Sequence, residues 1–374
     1  QSTVITNSVT GIGYRAFYGC KNLQSIVIPN SVKSIGTEAF YGCKNLQSVV
    51  IPNSVTSIGR RAFSGCKNLQ SVVISNSVTK IEESAFEDCY SLQSIVIPNS
   101  VTSIGKLAFA GCKNLQSVVI PNSVTRIWWR TFYGCENLQN IDVAPNNKFY
   151  SSKDGVLFNK SGDALVMLPG GKKSCVVPNS VKIIGGGAFS GCENLENIDV
   201  APDNKFYSSK YGVLFNKSGN ALIAFPGKRK TYVIPNSVTK IGEAAFVDCA
   251  NLQSVTIPNS VTSIGNFAFF SCTNLQSVVI PNSVTEIGYS AFGGCENLKS
   301  IVIPNSVTSI GLHAFGGCKN LKNVTVKALT PPTIDGSLLW EDSIQTIYVP
   351  AESVEKYKTA EGWKWYADKI KAIK

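Results

Sequence analysis

Apolar residues return along this chain at fixed offsets. From Cys43 to Gly65 the sequence reads C-K-N-L-Q-S-V-V-I-P-N-S-V-T-S-I-G-R-R-A-F-S-G, and Cys66 begins the same order again. Leu46, Val49 and Ile51 form a short apolar, β-branched run that stops at Pro52, which predicts a strand and its end. Asn53-Ser54 supplies a turn, because both side chains can hydrogen-bond their own backbone. Val55 and Ile58 point back inward and predict a second short strand around Thr56 to Ile58. Gly59 is expected to supply an unusual backbone angle. Ala62-Phe63 is expected to open a helical or 3-10 turn that returns the chain to Cys66 and Leu69.

The cysteines count the copies. They stand at 20, 43, 66, 89, 112, 135, 192, 249, 272, 295 and 318, with only Cys175 out of register. Every interval is 23 except 135 to 192 and 192 to 249, which are both 57, one unit plus 34 residues. Eleven units follow, with two insertions of equal length. One unit cannot bury its apolar face alone, but stacked units bury a continuous core. Stacking turns each unit position into a column. Phe17 to Phe315 and Ile12 to Ile310 predict two apolar columns. Asn22 to Asn320, interrupted at Ser91, predicts a polar one whose buried amides satisfy backbone groups of the adjacent coil.

The insertions match each other. Both carry N-K-F-Y-S-S-K, then G-V-L-F-N-K-S-G, then an apolar run ending at Pro169 or Pro226. Gly155 to Phe158 and Ala164 to Leu168 flank Asn159-Lys160-Ser161-Gly162, a hairpin signal. Residues 1–326 therefore read as one solenoid domain with hairpin insertions at about 143–175 and 200–232. Thr330-Pro331-Pro332 breaks the repeat, and 327–374 reads as a C-terminal capping segment that covers the last strand edge. Gln1 falls inside a repeat, so the natural start and any leader are expected upstream.

The pattern L-x-x-[IV]-x-[IV]-P-x-x-V-x-x-I-G-x-x-A-F-x-x-C, as in Leu46 to Cys66, resembles the BspA-like leucine-rich repeat of bacterial and some protist surface proteins. Departures are local: Ser75 for Pro, Glu82 and Trp128 for Gly, Thr131 for Ala. The resemblance implies a repeat solenoid, a right-handed leucine-rich-repeat superhelix of ~23-residue units. It also implies an extracellular or cell-surface address and a role in adhesion or host interaction. It brings no catalytic residues with it.

Composition narrows the function classes. Hydrophobic residues make up 44% and charged residues 16%, which excludes a disordered chain. No apolar run reaches the length of a membrane-spanning helix. The formal charge is +11, but the Lys and Arg are scattered among acids, so no nucleic-acid partner is expected. Cysteines 23 residues apart lack the clustered spacing of a zinc site, so neither metal nor other cofactor is expected. A reduced, buried thiol column is expected instead, with Cys175 as its reactive exception. His313, the one histidine, shares a column with Arg15, Glu38, Arg61, Ser84, Leu107 and Ala244. That variety predicts a surface position without a catalytic partner.

Three features remain as binding candidates. Val50, Val73, Val96 and Val119 form an outward column beside serines. Trp128-Trp129, with Arg126, Arg130 and Tyr133, forms an aromatic and basic cluster where the unit departs most from its copies. Asp142 and Asp199 replace Val in the outward column, each beside an insertion. The expectation is a monomeric, non-enzymatic surface or secreted protein that binds an extracellular protein or glycan. Alternatives are a glycoside hydrolase using Asp142 and Asp199, expected roughly 10 Å apart from strand spacing, and a purely structural spacer.

Overall fold

The structure is a computed structural model that describes residues 1–334, 336–337 and 343–373. It is a parallel β-solenoid whose coils repeat every 23 residues. The chain forms two compact units: Gln1–Lys172 with Ser180–Asn194, and Lys173–Asn179 with Leu195–Lys374.

In the first unit, strands Ser2–Val4, Ser25–Val27, Ser48–Val50 and Ser71–Val73 lie side by side, parallel. Register moves by one whole unit, so Val49 sits opposite Val72 and Val50 opposite Val73. Each strand follows the alternation in its sequence: Val49 is buried between exposed Ser48 and Val50. Ser57–Ile58, Lys80–Ile81, Ser103–Ile104 and Arg126–Ile127 form a second parallel ladder. Between the two ladders the phenylalanines stack. Phe17, Phe40 and Phe63 are 5.0 Å apart with near-parallel rings, and the stack continues to Phe132. Phe40, Phe63, Phe86 and Phe109 are fully buried in this stack, as close packing of one ring per coil requires.

The second unit repeats this plan. Its second ladder runs through eight strands, from the hairpin at Tyr207–Lys210 and Val213–Asn216 to Thr333–Ile334. The helix Val354–Thr359 and a 3-10 segment at Lys364–Lys369 close this unit, and Ile370–Ala372 adds a last parallel strand beside Thr346–Val349. Tyr357 and Trp363 are fully buried there. Their polar ends are satisfied: Trp363 Nε1 donates to the Pro332 carbonyl at 2.7 Å, and the Tyr357 hydroxyl to the Ala328 carbonyl at 2.8 Å. Trp365 faces solvent.

Four local expectations are corrected. Ala62-Phe63 opens a turn with 3-10-type bonds, but no helix. The turn alternates hydrogen bonds within the coil, such as Ser64 N–H to the Arg61 carbonyl, with bonds to the next coil, such as Phe63 N–H to the Ala85 carbonyl. Gly59 does not supply the unusual angle. A Cβ there would lie 2.6 Å from the Gly36 carbonyl carbon of the preceding coil, so glycine is required by close approach. At Gly13 the same position meets nothing within 4 Å.

The left-handed residues lie elsewhere, in the variable column. Arg15, Glu38, Arg61, Ser84, Leu107, Arg130, Ala244 and His313 all have φ between 54° and 58°. That column is not simply surface either, since Ser84 is buried and its neighbours in the column are mostly half-buried. Finally, the asparagine column is exposed. Asn68 Nδ2 donates to Asn45 Oδ1 at 3.1 Å along the surface, whereas Asn194, Asn251 and Asn320 donate to the carbonyls of Glu136, Gly227 and Glu296 in the neighbouring coil, so the expected backbone contacts form but outside the core.

Candidate functional site

The first insertion creates the site. Asn147 anchors it and is fully buried. Its Nδ2 donates to the carbonyls of Pro121 at 2.8 Å and Val124 at 3.0 Å, and its Oδ1 accepts from the N–H groups of Phe149 and Tyr150. A buried amide with all these bonds filled is fixed in position. From that knot run the antiparallel strands Tyr150–Lys153, Val156–Asn159 and Ala164–Met167. The last of them pairs in parallel with Ile183–Ile184. The hairpin thus takes the place that the preceding coil would hold, and among the described residues the ladder ending at Arg126–Ile127 gains no strand neighbour on that side. The Tyr150 hydroxyl accepts from the Ile127 N–H at 3.0 Å, filling one of the bonds left over.

A cleft of about 230 Å³ opens along this seam. One wall is Ile127 to Arg130; the other is Ala164 to Met167 with Gly185 to Gly187. Trp128 and Trp129 stand at it, 45% and 49% exposed. Trp128 occupies the glycine position and keeps that position's bond to the preceding coil. Its N–H reaches the Ile104 carbonyl at 3.1 Å, against 2.8 Å for Gly105 to Ile81.

Cations sit on both indoles. The Arg126 guanidinium lies 5.3 Å from the Trp128 ring centre. Lys106 and Arg130 lie 4.6 Å and 5.2 Å from that of Trp129, and Arg130 also packs 4.6 Å from Tyr133. Arg130 Nε donates to Ser190 Oγ at 3.3 Å. The five residues singled out here, Arg126, Trp128, Trp129, Arg130 and Tyr133, are therefore brought together. Lys106 was missed, because it lies one coil back in a column that elsewhere holds Arg60 and Glu83. The glycine wall had a visible signal in the run Gly185-Gly186-Gly187.

Val50, Val73, Val96 and Val119 are each more than half exposed. Asp142 and Asp199 are exposed on the same kind of strand face, opposite Val119 and Val176 respectively. They belong to different units, and Asp142 does not line the cleft. In the second unit a wider groove of about 870 Å³ has Gly265, Gly288 and Gly311 in its floor, with Tyr289, Glu243 and Glu286 around it. Among the described residues no group of acids, histidine and cysteines has metal-binding geometry.

Cys175 is not the reactive exception: it is 5% exposed in the strand Ser174–Val177, facing the core. Cys20 is the exposed thiol. Burial pushes the Cys135 thiol up to about 12, and raises those of Cys89, Cys112 and Cys272 as well.

Comparison with known proteins adds sequence kinship. The profile of the BspA type leucine-rich repeat region matches residues 1–112, 33–153, 172–226 and 224–337. A leucine-rich cell surface protein of Faecalibacterium prausnitzii is 31% identical, with all of this chain and 87% of that one covered and a TM-score of 0.48. A leucine-rich repeat protein of Eubacterium ventriosum is 27% identical over 89% of this chain and 82% of its own, with a TM-score of 0.53. No curated protein matches the chain.

Proposed function

Since the chain belongs to the BspA-type leucine-rich repeat family, we propose that it is an extracellular binding scaffold that engages a protein or glycan without reacting with it. The observation that carries this reading is the exposed Trp128-Trp129 pair, with Arg126 and Arg130 packed on it, at a place where the repeat is broken. Exposed tryptophan beside arginine is costly to keep in water and is characteristic of binding hot spots. The exposed valines from Val50 to Val119 supply additional apolar contact area on the strand face. Tight stacking commits the Cys, Leu, Ile and Phe columns to the core, so recognition falls to residues outside them. The extracellular address is supported by the 31% identical relative that is named a cell surface protein.

Binding of the intact protein to an array of extracellular proteins and glycans, repeated with Trp129→Ala, tests the reading. At least one ligand retained by the native protein and weakened about tenfold or more in the variant is expected. An array without a single hit, or a variant that binds every ligand as tightly, would overturn it.

A further inference from the structure

We infer that the cluster at the first insertion is a subsite for an acidic polysaccharide, one carrying sulfate or uronate groups. This rests on the binding reading above and names its partner class.

The charge at the cleft is one-sided. Lys106, Arg126 and Arg130 converge on two adjacent indoles. No carboxylate lies within ion-pair distance of Lys106 or Arg126 among the described residues. The nearest acids in register are Glu82, two coils back in the Trp128 column, and Glu83, which pairs with Arg60 at 3.5 Å. Asp163, on the hairpin side, is held by Asn159 and Ser161 and faces Lys182 at 3.9 Å.

The cations are also held in place. Trp129 packs against Lys106 and Arg130 together, and Tyr133 holds Arg130 from its other neighbour position. Fixing a flexible cation on an aromatic ring reduces the ordering cost when an anion binds. Guanidinium groups so fixed suit planar carboxylate and sulfate oxygens, which they bind with charge-assisted hydrogen bonds.

Spacing and size favour a polysaccharide. In the second ladder Lys80 lies opposite Ser103, and Ser103 opposite Arg126. Lys80, outside the cleft but in the same ladder, is thus two coils from Arg126, roughly 10 Å at strand spacing, about the length of one disaccharide, and would extend the subsite along the stack. A cleft of about 230 Å³ walled by glycine accepts a sugar ring but not a folded element. The half-exposed indoles beside it offer apolar contact to a pyranose ring.

Heparin, hyaluronan, neutral dextran and a single-stranded oligonucleotide of matched charge serve as probes, with the full chain and two variants. Arg126→Ser with Lys106→Asn removes the free cations; serine is what Ser57 and Ser103 carry in the same column. Trp128→Gly restores the residue of the other coils. The inference expects salt-sensitive heparin binding that weakens about tenfold or more in the double variant. It expects a clear loss in Trp128→Gly even though that protein melts no lower than the native one. Equal heparin binding by all three proteins overturns it, as does an oligonucleotide that competes as well as heparin. Binding only to dextran or to a protein overturns it while leaving the scaffold reading intact. Absence of any ligand overturns both.

Discussion

The thiol of Cys66 donates to the carbonyl oxygen of Phe40, 3.2 Å away in the preceding coil. The same oxygen accepts the Cys43 N–H at 3.2 Å. The pairing recurs at Cys43 with Phe17, Cys89 with Phe63 and Cys112 with Phe86, and in the second unit at Cys272 with Phe246. Cysteine fits because the site wants a small apolar body with one weak donor.

The thiols should therefore report folding. With an aromatic disulfide reagent at pH 8, one thiol per native chain, Cys20, is expected to react fast, and the other eleven only on unfolding. Fast reaction of several thiols in the native protein would contradict the packing. Cys66→Ala should cost about 1–2 kcal/mol in urea unfolding, from lost volume and a half-satisfied carbonyl.

The raised thiols also set a pH window. Folded Cys135 keeps its proton up to about 12, whereas the unfolded chain releases it near the ordinary 9.0. The unfolded state then binds fewer protons, so stability present below about pH 9 falls as pH rises toward 12. Urea midpoints measured from pH 8 to 11 should fall progressively above 9, and a flat profile would argue against buried thiols.

Gly59 and Gly13 occupy the same position but not the same surroundings. Gly59→Ala should cost about 2 kcal/mol, because backbone of the preceding coil stands 2.6 Å from the new carbon. Gly13→Ala should be within about 0.5 kcal/mol of native. Equal costs would show that backbone angle, not approach, selects the glycine.

Ala244 carries a left-handed backbone at φ 54° without the residue that adopts it most easily. Ala244→Gly should raise stability by about 0.5–1 kcal/mol, the left-handed penalty outweighing the added chain entropy. A lower melting temperature would refute this.

Asn147 makes four hydrogen bonds inside the protein. Asn147→Ala should cost about 3 kcal/mol or more, since several buried partners lose their bonds together. Limited proteolysis should then cut first within Tyr150–Lys153 or its flanks. An unchanged cleavage pattern would mean that the hairpin is held by its apolar strands alone.

The coil plan was legible in the sequence because burial here is a property of columns. Leu46, Val49, Ile51, Val55, Ile58 and Phe63 repeat so faithfully that one unit specifies all. The left-handed column was invisible, because Arg61, Leu107 and His313 bear no common chemistry. What they share is a left-handed backbone, which at Arg61 and His313 turns the N–H to bond the next coil, at the Glu83 and Ser337 carbonyls. The glycine was seen and its cause misread, since close approach exists only after stacking. At the site, Trp128 and Trp129 stood out as departures from the unit. Lys106 and the cleft did not, because the second wall comes from a hairpin whose docking depends on Asn147, a residue that reads as loop.

The long bond at Glu82, which stands in the glycine column, has a mechanical consequence. Along the first unit the bond from this position to the coil before it measures 2.8 Å at Gly36, 3.0 Å at Gly59, 3.4 Å at Glu82 and 2.8 Å at Gly105. Tension along the stack loads such bonds coil by coil, so the seam between the Ile58 and Glu82 coils is where the first unit would part first. Under a pull along the stack the first unit would yield there, two coils away from the indole cluster, and lengthen before that cluster was disturbed.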